Sequence, residues 1–223
     1  MKPESVAQRW TYTISLTGYR LVRGGGWCWI MDQVPLELTS ILREVEKALE
    51  AKLYYLGIAV ALSIPDICAS LEFDPDNPRR ANSETYAAWC NANMQGTFNN
   101  LAGMDLFYLR CGVLHFGHFG HSKSKFNRVM FIGPESPIKV QRDQILIVMP
   151  GVEFGGVSVE EMRLVGNILQ VDLMYFCTAI MDAARAWAIS KADDPFVKRN
   201  LPYLVRFRPE GLPPFSIGIA TIA

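Results

Sequence analysis

Between Leu36 and Ile64, apolar residues recur at Leu38, Ile41, Leu42, Val45, Leu49, Leu53, Leu56 and Val60, the three-and-four spacing of one α-helical face. A half-buried strand would alternate every second residue, so this pattern commits the stretch to helix. An amphipathic helix of that kind is stable only when its stripe is buried against other elements, which points to a helical bundle. Pro35 sits where a first helical turn loses least from a missing N–H, and Pro65 predicts the end of the helix. A short helical turn is expected at Asp66 to Leu71.

Further along, Asp74-Pro-Asp-Asn-Pro-Arg-Arg is dense in turn formers and reads as a loop. Ser83 is expected to cap a helix carrying Tyr86, Trp89, Cys90 and Met94. Gly96 separates it from a helix running from Phe98 to about Phe116, which closes in the turn-prone Phe116-Gly-His-Phe-Gly-His. Two β-rich runs, Val129 to Ile132 and Ile145 to Met149, suggest a hairpin at about 128–150. Ser158 with Glu161 forms a capping box that predicts a long helix through Val165, Leu169, Phe176, Ile180 and Trp187, followed by a short one near Phe196 to Leu204. The expected fold is mainly α: a helical bundle with a small β hairpin before its last long helix. One domain spans 35–205, with an irregular arm at 1–34 and a tail at 206–223.

Composition narrows the function. The 223 residues are 50% hydrophobic, and 22 basic residues balance 22 acidic ones. A neutral chain lacks a broad electrostatic grip on nucleic acid, so any such contact must come from a local patch. Five cysteines, Cys28, Cys68, Cys90, Cys111 and Cys177, are scattered and never spaced as CxxC, which suits reduced thiols and a cytoplasmic compartment. The most apolar run, Leu53 to Ile64, falls short of the ~20 residues that cross a bilayer, so no membrane partner is expected. The first thirty residues, with Arg20, Arg23, three successive glycines, Trp27 and Trp29, lack the apolar core of a secretion signal. They admit two readings: an arm packed by its tryptophans, or a leader ahead of a true start at Met31.

The residues that could carry chemistry lie in Tyr108-Leu109-Arg110-Cys111-Gly112-Val113-Leu114-His115-Phe116-Gly117. Arginine presents a permanently charged planar fork that matches phosphate oxygens, and histidine can take and give a proton near neutral pH. Together they suit phosphodiester cleavage, with His115 moving a proton from a ribose 2′-OH or to the leaving oxygen. Arg110 would stabilise the charge that builds on phosphorus, with no metal or other cofactor in the scheme. The structural alternative pairs Arg110 with a carboxylate such as Asp105 and lets His115 cap the last carbonyls near Gly117. On an ideal helix, five residues at about 100° each set the two side chains about 140° apart. Bringing them together needs a kink at Gly112 or a second copy of the chain.

The pair, with its four intervening residues, resembles the hallmark of the HEPN superfamily of compact helical bundles. The likeness extends through the long first helix with Ile64-Pro65-Asp66-Ile67-Cys68, the helix with Tyr86 and Trp89, and the block from Leu109 to Gly117, and covers about Leu36 to His121. It implies a metal-independent endoribonuclease of toxin or defence type, with Arg110 and His115 as the catalytic pair. It further implies RNA as substrate, a homodimer that brings two motif helices together, and a cognate antitoxin as partner. Many active members place Asn, Asp or His after the arginine, where this chain has Cys111. The same likeness therefore also accommodates a non-catalytic module that binds nucleic acid or a protein partner.

Beyond the motif, His118, His121, Lys123, Lys125 and Arg128 are interleaved with Phe116, Phe119 and Phe126. Basic groups can hold a phosphate backbone while aromatic faces stack on bases, so these five residues are expected to form a nucleic-acid-binding rim. A solvated loop tip is the plainer alternative. His115, His118 and His121 recur every third residue and with Cys111 could ligate zinc, but mobile glycines at 117 and 120 and the lack of a CxxC pair argue against it. No metal site is expected. Gly24 to Gly26 lacks a phosphate-loop pattern.

Overall fold

The computed structural model describes residues 33–77, 81–145 and 168–223. The periodic stretch at the start becomes two helices, α1 (Leu36–Glu50) and α2 (Tyr54–Leu71), and not one. The break is a Schellman turn. Lys52 takes the left-handed conformation (φ 58°), its N–H donates to the Leu49 carbonyl at 3.0 Å, and the Leu53 N–H reaches back to the Ala48 carbonyl at 2.8 Å. The reason is burial: α2 folds back on α1, so that Leu38, Leu42 and Val45 face Ile58, Ala61 and Leu62 in one core. Leu53 and Leu56, which continue the apolar stripe in sequence, are left exposed at the turn.

Pro65 lies inside α2 and does not end it, and Asp66 to Leu71 continue the same helix. Its ring withholds an N–H from the Ala61 carbonyl. One residue on, the hydroxyl of fully buried Tyr86 donates to the Leu62 carbonyl at 3.0 Å. By length and composition α2 could cross a membrane, but 56% of it is buried among the surrounding helices. Its apolar character is that of the central helix of the core, packed against α1, α3 (Ser83–Asn93), α4 (Gly103–Cys111) and α5 (Leu173–Ser190).

The cap of α3 is Asn82, one residue before the expected Ser83. Its side chain accepts from the N–H groups of Glu84 and Thr85, and the Thr85 hydroxyl accepts from the Asn82 N–H. Helix α4 begins at Gly103, later than expected, because Asn99 and Asn100 are pinned in a turn by a buried carboxylate. Asp143, 2% exposed, accepts their backbone N–H groups at 2.8 and 2.7 Å. Asp143→Ala should strip two donors of their partner and cost ~2–3 kcal/mol. A urea-unfolding midpoint unchanged from the parent would show that water replaces the carboxylate.

Among the described residues, the two expected hairpin strands do not pair with each other. Strand β1 (Arg128–Ile132) and strand β2 (Asp143–Ile145) both pair with a third strand, β3 (Ile168–Asp172), in the order β1-β3-β2. The β1 pairing is parallel, with Met130 opposite Gln170, and the β2 pairing is antiparallel, with Gln144 opposite Gln170. Leu169, read as helical, is therefore a strand residue, and the last long helix starts only at Leu173, capped by Asp172. As the central strand, β3 buries Leu169, Gln170 and Val171 alike, which erases the alternation that marks a strand. The capping box of Ser158 and Glu161, the strand residues beyond Ile145 and the N-terminal arm lie outside the described residues.

The chain closes with α6 (Pro195–Asn200), a short 3₁₀ turn (Leu201–Tyr203) and strands β4 (Phe207–Arg208) and β5 (Thr221–Ile222). The expected tail is thus a two-stranded ribbon, tied to α1 by Arg206, whose Nη1 lies 3.1 Å from Glu37. Mainly helical architecture holds, with six α-helices among the described residues.

Candidate functional site

Helix α4 does not stop at Cys111. It widens into a single π-helical turn, Gly112–Phe116, which ends where Gly117 takes the left-handed conformation (φ 69°) and donates its N–H back to the Gly112 carbonyl. Such i→i+5 turns are rare and cluster at functional sites. The sequence allows this one at two glycines. A Cβ on Gly112 would run into the carbonyl oxygens of His118 and Gly120, so the following loop can fold back on the turn only because position 112 has no side chain. From α2, the Tyr55 hydroxyl donates to the Val113 carbonyl at 2.8 Å and satisfies an acceptor on the widened turn.

The added width changes the geometry of the motif. A residue five positions on now returns close to the same face, and Arg110 Nη1 lies 3.2 Å from His115 Nε2. A kink at Gly112 thus joins the two within one chain, and a second copy is not needed to do it. Because a guanidinium can only donate, the contact puts His115 Nε2 in the acceptor role. The imidazole is exposed, so this nitrogen is close to anything that displaces the guanidinium.

Behind Arg110 stands Asp66, whose Oδ2 lies 2.8 Å from Arg110 Nε. The side chains are only 23% and 19% exposed, and the two atoms meet as charges without the alignment of a directed hydrogen bond. Burial raises the Asp66 carboxyl above its ordinary range, and the Arg110 charge offsets this only in part. Its contribution to stability is accordingly fully present below the unfolded value of about 3.9 and is lost as pH rises through the folded value. The parent should therefore lose ground to Asp66→Asn as pH rises from about 4. Urea unfolding across that rise reads the trend, and a parent that gains on the variant would mean that the Arg110 attraction outweighs burial.

The structural alternative expected from sequence is not the arrangement found. Asp105 turns to the Ala102 N–H and to Lys125, 3.2 Å away, and not to Arg110. His115 faces Arg110, while the carbonyl of Gly112 is taken by Gly117. Asp66 was not singled out as a site residue. The available signal was that it is the only charged residue in an otherwise uncharged α2.

The rim residues are brought to one loop, but unequally. His118 stacks on Phe116 and His121 on Tyr108. Lys123 and Arg128 are exposed, whereas the charge of Lys125 is shared with Asp105. Of the three interleaved aromatics, only Phe116 is offered to solvent. Phe126 is buried, and Phe119 packs on Tyr55 and Phe131, because β1 anchors the far end of the loop and draws them inward. Among the described residues, no three His, Cys, Asp or Glu side chains gather as metal donors. Cys68, Cys90 and Cys177 are buried free thiols, with burial pushing the latter two up to about 12, and Cys111 is half-buried.

Asp66 borders a groove of about 340 Å³ walled by Ile67, Ser70, Asn200 and Tyr203. A larger hollow, about 550 Å³, lies between the start of α1 and the Trp187 end of α5 and contains none of these residues. The fold and the site define a mainly helical protein with an arginine and a histidine joined across a π-turn and an aspartate behind the arginine. Comparison with protein-family models, with curated proteins and with solved structures yields no match.

Proposed function

We propose that the chain is a metal-independent endoribonuclease of HEPN type, with Arg110 and His115 as its catalytic pair. The observation that carries this reading is the 3.2 Å approach of Arg110 Nη1 to His115 Nε2 at the solvent face of a π-turn. An RNA phosphate entering there meets both a fixed positive fork and a proton acceptor. As the guanidinium moves to the phosphate, Nε2 is released to take the proton of the ribose 2′-OH. That oxygen attacks phosphorus as the bond to the 5′-oxygen breaks, the His115 imidazolium gives its proton to the leaving 5′-oxygen, and the products carry 2′,3′-cyclic phosphate and 5′-hydroxyl ends. Every group in this sequence comes from the chain or the substrate.

The HEPN likeness brings with it a homodimer, a cognate antitoxin and a cytoplasmic setting. Leu114 on the π-turn is exposed, as are Leu53 and Leu56 at the start of α2, and exposed apolar side chains of this kind suit an interface between two copies. A specific observation also favours the non-catalytic reading: Nε2, the atom a base must offer, is occupied by Arg110 in this conformation. Incubation of purified protein with end-labelled RNA and a chelator separates the two. Cleavage leaving cyclic phosphate ends is expected; an RNA that is bound and left intact would assign the chain to the binding modules.

A further inference from the structure

Four rings, from α4, the π-turn and the loop that follows it, stand in contact. Tyr108 and His121 are stacked, with centroids 5.0 Å apart and planes 11° from parallel. Phe116 makes a tilted contact with His121, 6.2 Å away at 48°, and stacks with His118, 5.8 Å away at 19°. The ladder Tyr108, His121, Phe116, His118 thus starts on α4 and runs outward, and its outer rungs face solvent: Phe116 is 63% exposed and His118 is exposed. The core does not hold Phe116 in place; imidazoles do. Around it, Lys123 and Arg128 are exposed and have no carboxylate partner among the described residues. The Lys123 N–H donates to His121 Nδ1 at 3.1 Å, which places that residue beside the ladder.

We propose that this ladder is a base-stacking subsite, so that the RNA brought to the neighbouring pair is single-stranded. An unpaired base extends the stack at Phe116 and His118, and its phosphates lie toward Lys123 and Arg128. The proposal rests on the ribonuclease reading for its choice of RNA, but its geometry is independent of cleavage. Any base has a π-face, so such a platform tolerates sequence and selects for strandedness. In an A-form duplex both faces of each base are covered and recognition must use shape and 2′-hydroxyls. The basic neighbours add a sequence-independent grip on the backbone.

The test measures fluorescence anisotropy of a labelled oligouridylate single strand and of an RNA duplex of equal length, using His115→Ala protein so that the probe survives. Phe116→Leu keeps apolar bulk but removes the π-face, and Phe116→Trp keeps the face. The single strand should bind more tightly than the duplex, Phe116→Leu should weaken it about 5- to 150-fold, and Phe116→Trp should restore it. Light scattering on the same samples should show an unchanged oligomeric state. The subsite is overturned if Phe116→Leu binds as the parent does, if duplex and single strand bind alike, or if the loss of affinity tracks a change in oligomeric state. A protein that binds single strands through Phe116 yet never cuts RNA would retire the ribonuclease and keep the subsite.

Discussion

His115→Ala should slow RNA cleavage by ~10²–10⁴-fold, the usual worth of a positioned acid-base group. The side chain is exposed and its partner is Arg110, so its loss leaves no cavity, and stability should stay within about 0.5 kcal/mol of the parent. Arg110→Ala should lower the rate by ~10²–10³-fold, the effect of losing one preorganised stabilising group. Its stability cost is larger, ~1–3 kcal/mol, because Asp66 is left half-buried without its countercharge. Arg110→Ala combined with Asp66→Asn should recover much of that stability and none of the cleavage. Matched unfolding curves and single-turnover cleavage on the same preparations decide the point. Variants that fold and cut as fast as the parent would remove the pair from catalysis.

Gly112→Ala should disable the site without touching either catalytic side chain. The added Cβ meets two backbone carbonyls, His118 and Gly120, neither of which can move as a flexible side chain would. Overpacking of this kind costs ~1–3 kcal/mol, and the loop or the π-turn must give way. A displacement on the order of 1 Å between Arg110 and His115 is enough for ~10²-fold in rate. The change should therefore lower the unfolding midpoint and nearly abolish cleavage, while Gly117→Ala, with open space around its Cβ but a left-handed backbone, should cost only the strain of that conformation. Full activity in Gly112→Ala would show that the π-turn does not position the pair.

The sequence by itself determined the mainly helical class, part of the core (Leu38, Leu42, Val45 and Leu49 on α1, Tyr86 and Trp89 on α3, Phe176, Ile180 and Trp187 on α5), and the positions of Arg110 and His115. These are legible because helical burial repeats every three or four residues, and because a charged fork and an imidazole near a helix end stand out from their apolar setting. Only the tertiary structure decided where the first helix folds back. Lys52 occupies the left-handed position of a Schellman turn that glycine usually marks, and the stripe of Leu53 and Leu56 continues past it, so the break has no local sign. The same holds for β3, whose three successive buried residues in a central strand look like any apolar run. The join between Arg110 and His115 was also hidden. An ideal helix sets them about 140° apart, and the π-turn that closes the gap depends on the approach of His118 and Gly120 to Gly112 and on Tyr55 reaching Val113 from α2. Those contacts come from residues distant in sequence or from a loop folding back, and a periodicity read along one helix carries no information about either.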